Sequence, residues 1–257
     1  AEDMVHENRE IEMMLNTASM VDPLTDSPTR TRRTVDAFTR VLHVLMILSF
    51  MGAYITAESE IFRLVHVSLG YTLGGLLVAR VVWGVLGPRQ ARLAAVWGKL
   101  RGLGAWWRGF FTGQASWRQA QNLCLALSVV VVLLVIAPVV LSGYVTYQEW
   151  TGEWMEEVHE FLGNFMLMAV LAHVSGVVIL SLLRRRNLAT PMLTGRVDGA
   201  GPDLIKSNHL TWAVLLLAAV LSFWVWQWQT SPQGQSEPGV SGLHAAPGKA
   251  QSEDDDD

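Results

Sequence analysis

Two histidines in one apolar stretch, His159 and His173, have the residue type and the spacing that most clearly indicate chemistry. They lie fourteen residues apart in a segment, residues 156–184, that is apolar enough to cross a bilayer. On a helix this separation is about 21 Å of rise and returns to within about 40° of the starting direction. A hydrocarbon core about 30 Å thick can hold both imidazoles near its opposite surfaces. Because ionisable side chains at such depths are costly and usually functional, the pair predicts two metal centres, one in each leaflet.

The elements that must position these histidines are membrane helices. The chain has 257 residues, of which 51% are hydrophobic, and most of these fall in runs of spanning length. The runs are residues 36–56, 62–86, 122–144, 156–184 and 209–228. The predicted fold is therefore an all-α integral membrane bundle. Between the second and third runs, apolar residues recur at steps of three and four among basic ones, which predicts an amphipathic helix in the headgroup region at about residues 89–113.

The distribution of basic residues predicts the orientation of the bundle. Of the 19 Lys and Arg residues, only Arg63 and Lys249 fall on the side opposite the N-terminus. By the positive-inside rule the N-terminus is cytoplasmic and the C-terminus is outside. The outer face is acidic, which favours a basic partner there.

With this orientation, depth pairs the four histidines of the first, second and fourth runs. The first run enters from the cytoplasmic side, so His43 lies at the depth of His173. The second run enters from outside, so His66 lies at the depth of His159. Each pair joins two helices at one level, as a haem iron with one imidazole on each side requires. Zinc and copper usually need three or four ligands, whereas each level supplies only two imidazoles, with no thiolate or carboxylate nearby. The pattern therefore favours haem over these metals. Hydrogen bonding between helices is the alternative role for any single histidine.

Three arginines are candidates for contacts with such cofactors. Arg40 and Arg63 each precede a histidine by three residues, so each lies about one turn nearer its membrane surface, where a haem propionate would meet a cation. Snorkelling toward headgroups is an equally good role for both. Arg80 follows His66 by fourteen residues and reaches the cytoplasmic level, where it could bind a propionate or line a quinone pocket.

The remaining reactive residues limit the options. The single cysteine, Cys124, excludes a C-x-x-C-H motif for covalent haem and a cysteine-ligated iron–sulfur cluster within the chain. His209 begins the fifth run without a partner at its level, so it is expected at the surface, as are His6 and His244 in the polar ends.

Composition divides the chain into four parts. We expect a cytoplasmic arm, a four-helix di-haem core, a connection with a fifth transmembrane helix, and a disordered acidic periplasmic tail. Their boundaries are residues 1–35, 36–186, 187–229 and 230–257.

Several stretches resemble the bacterial di-haem cytochrome b561 family, which includes the cytochrome b subunits of nickel–iron hydrogenases and relatives in formate dehydrogenase. They are VDAFTRVLHVLMIL, RLVHVSLGYTLGGLLVARVVWGVLGPRQAR, and EVHEFLGNFMLMAVLAHVSGV followed by NLATPMLTGR, within about residues 35–196. The resemblance implies a bacterial inner-membrane protein with two b haems bound by His43, His66, His159 and His173. It also implies electron transfer between a periplasmic redox partner and membrane quinone.

The expected partners are therefore lipid, quinone, and a periplasmic c-type cytochrome or hydrogenase-like subunits at the acidic face, with no nucleic acid. The chain would be an electron-transfer subunit of an oxidoreductase complex and would supply no catalytic residue. Two alternatives stay open. One is a haem-free anchor or assembly subunit, and the other is a stand-alone haem b quinone oxidoreductase that uses a small reductant such as superoxide.

Overall fold

A computed structural model describes residues 31–89, 91–113, 116–199, 201–205 and 207–231. The helices of these residues are α1 (Ala37–Thr56), α2 (Arg63–Leu86), α3 (Leu93–Phe111), α4 (Trp117–Tyr147), α5 (Trp154–Arg184), α6 (Thr190–Thr194) and α7 (Leu210–Thr230). A 3₁₀ turn, Glu60–Phe62, precedes α2, and two short strands are β1 (Thr31–Arg33) and β2 (Arg196–Asp198). Most of the predicted arm and tail, with His6 and His244, lies outside the described residues.

Five of the described helices, α1, α2, α4, α5 and α7, are long and apolar enough to cross a membrane. This confirms the predicted all-α membrane bundle. Large apolar side chains cover its outer surface, as in Ile55 (73% exposed) and Leu182 (72% exposed). Such exposure is costly in water and favourable against lipid, so the bundle has the surface of a protein that is solvated by a bilayer.

Two antiparallel helix pairs build the core. α4 packs along α5, α1 packs along α2, and the pairs meet where α2 contacts α4. The residues at their centre are Phe50, Leu73, Val135, Ile136 and Met166. α7 lies against α1 and, less extensively, α2. The histidine-bearing helices α1, α2 and α5 therefore share one core.

The predicted amphipathic helix is present as α3, which packs on α2 and α4. Trp97 is 62% exposed and Trp107 is 57% exposed. Exposed indoles suit the headgroup region, and the depth of α3 in the membrane stays a prediction.

A two-stranded antiparallel ribbon joins the start of the described chain to the segment after α6. Thr31 pairs with Asp198, and Arg33 pairs with Arg196. Gly195 follows α6 with φ +78°, a conformation that glycine adopts without strain, and its carbonyl accepts from the backbone N–H groups of Thr34 and Val35. The sequence predicts no strand here, because three residues are too few for an alternating pattern.

Gly74 allows the close contact of α2 with α4. A Cβ at this position would lie 2.9 Å from Cγ1 of Val140, whereas a Cβ at Gly75 would meet nothing within 4 Å. We expect Gly74→Ala to destabilise the bundle by about 1–3 kcal/mol, because the stiff Val140 side chain cannot move aside. The measurement is the apparent melting temperature in detergent. Gly75→Ala should not lower it, and Gly74→Ala combined with Val140→Ala should restore it; equal effects of the two glycine variants would contradict this packing.

Candidate functional site

The structure brings the rings of His66 on α2 and His159 on α5 close together, and we call these two residues the outer pair. Their ring centroids lie 6.1 Å apart, and the ring planes are at 90°. With metal–nitrogen bonds of about 2 Å on each side, two imidazoles that share one metal ion have centroids about 6 Å apart. The spacing of the outer pair thus leaves room for one ion between the rings.

His43 of α1 and His173 of α5 form the second predicted pair, which we call the inner pair. They lie close enough for their imidazoles to interact electrostatically. Both side chains are half-buried. His66 and His159 are therefore in ring contact, and His43 and His173 lie within electrostatic range of each other, each pair from two different helices. Their role as ligands stays a prediction.

Hydrogen bonds indicate the tautomer of both imidazoles in the outer pair. Nδ1 of His66 lies 2.8 Å from the backbone oxygen of Ala53 on α1, and Nδ1 of His159 lies 3.1 Å from the backbone oxygen of Val139 on α4. A carbonyl oxygen only accepts, so each Nδ1 must carry the proton. Nε2 of each ring is then left with a free lone pair, which is the form that binds a metal.

Two serines on α4 make equivalent contacts with α5. Ser128 Oγ lies 3.0 Å from Nδ1 of His173, and Ser142 Oγ lies 3.0 Å from Nδ1 of His159. Each hydroxyl donates its own proton to a backbone oxygen three residues earlier, Leu125 for Ser128 and Val139 for Ser142. With those protons on the backbone oxygens, the serine oxygens are available as acceptors for the imidazole N–H groups.

These serines were not predicted, although the sequence holds a signal for them. Ser128 and Ser142 are fourteen residues apart, the spacing of His159 and His173. Because α4 and α5 are antiparallel neighbours, equal spacings keep both contacts in register.

Glycines shape the space around the outer pair. A Cβ at Gly143 would lie 2.8 Å from Cε1 of His159, so the imidazole packs directly against the α4 backbone. Gly70 and Gly163 follow His66 and His159 by one turn, and a Cβ at either would meet nothing within 4 Å. The faces of α2 and α5 that carry His66 and His159 therefore have open space one turn from each histidine, which a flat macrocycle needs.

Unpartnered polar atoms lie one turn from the inner pair. Thr39 and Arg40 precede His43 by four and three residues, on roughly its face. Nη1 of Arg40 donates to the backbone oxygen of Leu193 at 3.0 Å, but its Nε and the Thr39 hydroxyl are buried without a partner among the described residues. Thr146, near the C-terminal end of α4, also has a buried hydroxyl without a partner among the described residues. Buried donors without partners are costly, and a carboxylate would satisfy them.

The other two predicted arginines, Arg63 and Arg80, make no hydrogen bond to a histidine among the described residues; their contacts are with other groups. Arg63 is exposed and lies 6.0 Å from the ring of Tyr147. Arg80 is half-buried, donates to the backbone oxygen of Ala91 at 3.1 Å, and interacts electrostatically with Asp36. The arginine roles thus stay predictions.

His209 is not the unpartnered surface residue that we expected. Its Nδ1 lies 3.4 Å from Oδ2 of Asp36, and its ring meets Trp83 edge to face at 5.1 Å. Trp83 Nε1 donates to the same oxygen at 3.0 Å, and Oδ1 caps α1 by accepting from Thr39 N at 3.4 Å. The expectation was wrong because the partner of His209 comes from the far end of the sequence, at the start of α1.

The family model of the prokaryotic cytochrome b561 matches residues 34–195. The chain belongs to this family. The match includes the four paired histidines and excludes α7, and it confirms the resemblance noted in the sequence. No curated protein and no solved structure matches the chain. A cytochrome b561 of this family is a multi-pass membrane cytochrome b that takes part in electron transfer, and its members typically bind haem b.

The donor set of this cytochrome b561 fits haem b. Within the described ranges, no group of three or more His, Cys, Asp and Glu side chains could hold a bare metal ion. Each histidine pair offers two imidazoles from two different helices, and a haem brings the other ligands of its iron. The bare Nε2 atoms, the open space beside Gly70 and Gly163, and the unpartnered Thr39 and Arg40 atoms agree with this group.

Trp83 stabilises a fully buried carboxylate, that of Asp36. We expect Trp83→Phe to cost about 1.5–3 kcal/mol, because it removes a hydrogen bond to a buried charged group. The apparent melting temperature in detergent should fall accordingly. Trp97→Phe, at an exposed indole of α3, is the control and should leave it unchanged; a similar decrease in both variants would rule out this role.

Proposed function

We propose that this cytochrome b561 carries electrons across the bacterial inner membrane through two b haems, between a periplasmic redox partner and the quinone pool. The main support is the outer pair, His66 and His159, whose rings come from two helices and lie 6.1 Å apart. By the same reasoning His43 and His173 hold the inner haem.

The protein's own contribution is to bind and orient. The acceptors on α1 and α4 hold each Nδ1 proton, so that Nε2 of His66, His159 and His173 is presented as a ligand. Bound haem supplies a one-electron carrier, and the helices supply axial ligands, low dielectric and position. His159 and His173 share α5 about 21 Å apart along its axis, so the two sites lie at two depths of one bundle.

The two ends of the bundle have opposite charge. Exposed carboxylates surround the end that carries the outer pair: Glu58, Glu60, Glu153, Glu156 and Glu157. This acidic face favours a basic redox protein, such as a c-type cytochrome or a hydrogenase-like subunit. The positive-inside rule makes the opposite, arginine-rich end cytoplasmic, with the N-terminus on that side and the C-terminus in the periplasm.

Arginines and threonines near the surfaces are the proposed anchors for haem carboxylates. Thr39 and Arg40 have buried donors that a propionate of the inner haem would satisfy. Arg63 is the cation nearest the outer haem, and Arg80 is the candidate for a propionate or a quinone on the cytoplasmic side. In this proposal residues 36–186 form the haem core, and residues 187–229 add a connection and a fifth span.

Single histidine substitutions test the proposal directly. His66→Ala or His173→Ala should remove about half of the haem, because each iron loses one of its two axial imidazoles while the other site is intact. The measurement is the pyridine haemochrome content per protein after purification in detergent.

His209→Gln is the control, since His209 belongs to neither pair and should leave the haem content unchanged. A wild-type protein without haem, or histidine variants with unchanged spectra, would favour the haem-free anchor instead. If haem is present but no periplasmic protein co-purifies or reduces it, a stand-alone oxidoreductase becomes the better description.

Gly143 provides a second test of the outer site. A methyl group at this position would press on the His159 ring, since its carbon would lie 2.8 Å from Cε1. We expect Gly143→Ala to lower the haem content toward one per chain, with the remaining haem resembling that of His159→Ala in its redox titration. Gly75→Ala, which meets open space, should keep both haems. If Gly143→Ala retained both haems, displacing the His159 ring would have no effect on haem binding. That result would count against His159 as an axial ligand.

A further inference from the structure

We propose that Ser128 and Ser142 are positioning residues that lower the reduction potentials of the two haem sites, and that Ser128 does so more strongly than Ser142. This inference rests on the proposed function, since it assigns roles to residues behind the proposed ligands. Each serine contacts the Nδ1 side of its histidine, whereas the iron would bind at Nε2. Both serines therefore act on the haem only through the imidazole ring.

The direction of the effect follows from the hydrogen bonds. Each serine hydroxyl gives its proton to a backbone oxygen, of Leu125 or Val139, and accepts the Nδ1 proton of its histidine. An acceptor at Nδ1–H makes the imidazole more basic and more electron-donating. A stronger donor stabilises the ferric state more than the ferrous state, which lowers the potential for one-electron reduction. No bond forms or breaks in this step, and no proton is exchanged.

The difference in size follows from the number of acceptors. His159 Nδ1 has two, Ser142 Oγ at 3.0 Å and the Val139 oxygen at 3.1 Å. His173 Nδ1 has one partner among the described residues, Ser128 Oγ at 3.0 Å. Without Ser142 the His159 imidazole still has a carbonyl acceptor. Without Ser128 the His173 imidazole loses the one acceptor that the described residues provide.

The location of the serines increases the change in midpoint potential that the loss of one hydroxyl causes. Ser142 is 6% exposed and Ser128 is half-buried, and both contacts lie between two packed apolar helices. Water cannot replace a lost acceptor at such a place, and hydrogen bonds are electrostatically stronger in a low dielectric.

The experiment is a spectroelectrochemical redox titration of the full-length protein with its own haems, in detergent at one pH. His173→Ala and His159→Ala identify the inner and outer haem signals. We expect Ser128→Ala to raise the midpoint potential of the inner haem and to leave that of the outer haem unchanged. Ser142→Ala should raise only the outer midpoint, and by a smaller shift.

Two variants control for general effects of a lost hydroxyl. Ser49→Ala removes a fully buried serine hydroxyl of α1 that has no partner among the described residues, so neither midpoint should move. Ser128→Thr keeps the hydroxyl and should stay near the wild-type midpoint. If Ser128→Ala loses its haem, Ser128→Cys is titrated instead; its weakly accepting sulfur should give an upward shift at the inner haem.

The outcomes separate this inference from the proposed function. If the wild-type protein binds no haem, both fail. If haem is retained and Ser128→Ala behaves like Ser49→Ala, or if Ser142→Ala gives the larger shift, the serine roles are overturned while the electron-transfer proposal stands.

Discussion

The structure depends on one constraint: a neutral histidine inside a membrane that keeps Nε2 free must find an acceptor for its Nδ1 proton inside the same bundle. No water is available in the hydrocarbon region to accept it. Three of the four paired histidines meet this need with a neighbouring helix, through Ala53 on α1 for His66 and through α4 for His159 and His173. The orientation of these imidazoles therefore depends on helix packing, because a shift of either helix would break the hydrogen bond and turn the ring.

The contact of α4 with α5 provides an acceptor for Nδ1 of both His159 and His173, in each case through a serine of α4. Both helices run for 31 residues, and each carries its polar pair at a spacing of fourteen. In an antiparallel pair, equal spacing brings both serine–histidine contacts into place with a single register. Gly143, next to Ser142, lets the α4 backbone approach the His159 ring, which shortens the distance between the helices at that level. The most extensive helix contact of the described chain thus positions two of the four imidazoles.

Sequence reasoning predicted the features that depend on helix geometry alone. Hydropathy located the spans, and the rise per residue placed His159 and His173 at two depths. Orientation by arginine content then paired them with His66 and His43. Ser128 and Ser142 were missed, although they follow the same repeat, because a serine in an apolar helix usually bonds only to its own backbone. The pairing of these residues requires knowing that α4 and α5 are neighbours in register.

The features that sequence reasoning could not predict depend on contacts between distant segments. In the sequence, no other span offered His209 a partner at the same depth. In the structure its partner is Asp36, the residue that caps the N-terminus of α1. The ribbon of β1 and β2 joins the same distant parts of the chain, at strand lengths that carry no pattern. Both the His209–Asp36 contact and the β1–β2 pairing are set by tertiary contacts, which outweigh the local conformational preferences of the residues.

These long-range contacts explain why the fifth span belongs to the bundle, although the family match ends before it. Ala213 and Val220 of α7 are almost fully buried against α1 and α2, and Trp224 Nε1 donates to Thr72 Oγ1 of α2 at 2.8 Å. His209, at the N-terminus of α7, adopts φ +48°, which is unfavourable for a residue with a Cβ, and this places its ring beside Asp36. A buried carboxylate at the end of α1 needs partners on every side, and α7 covers one of those sides. The fifth span is therefore an integral part of the wall around α1, the helix that carries His43, and not a separate anchor.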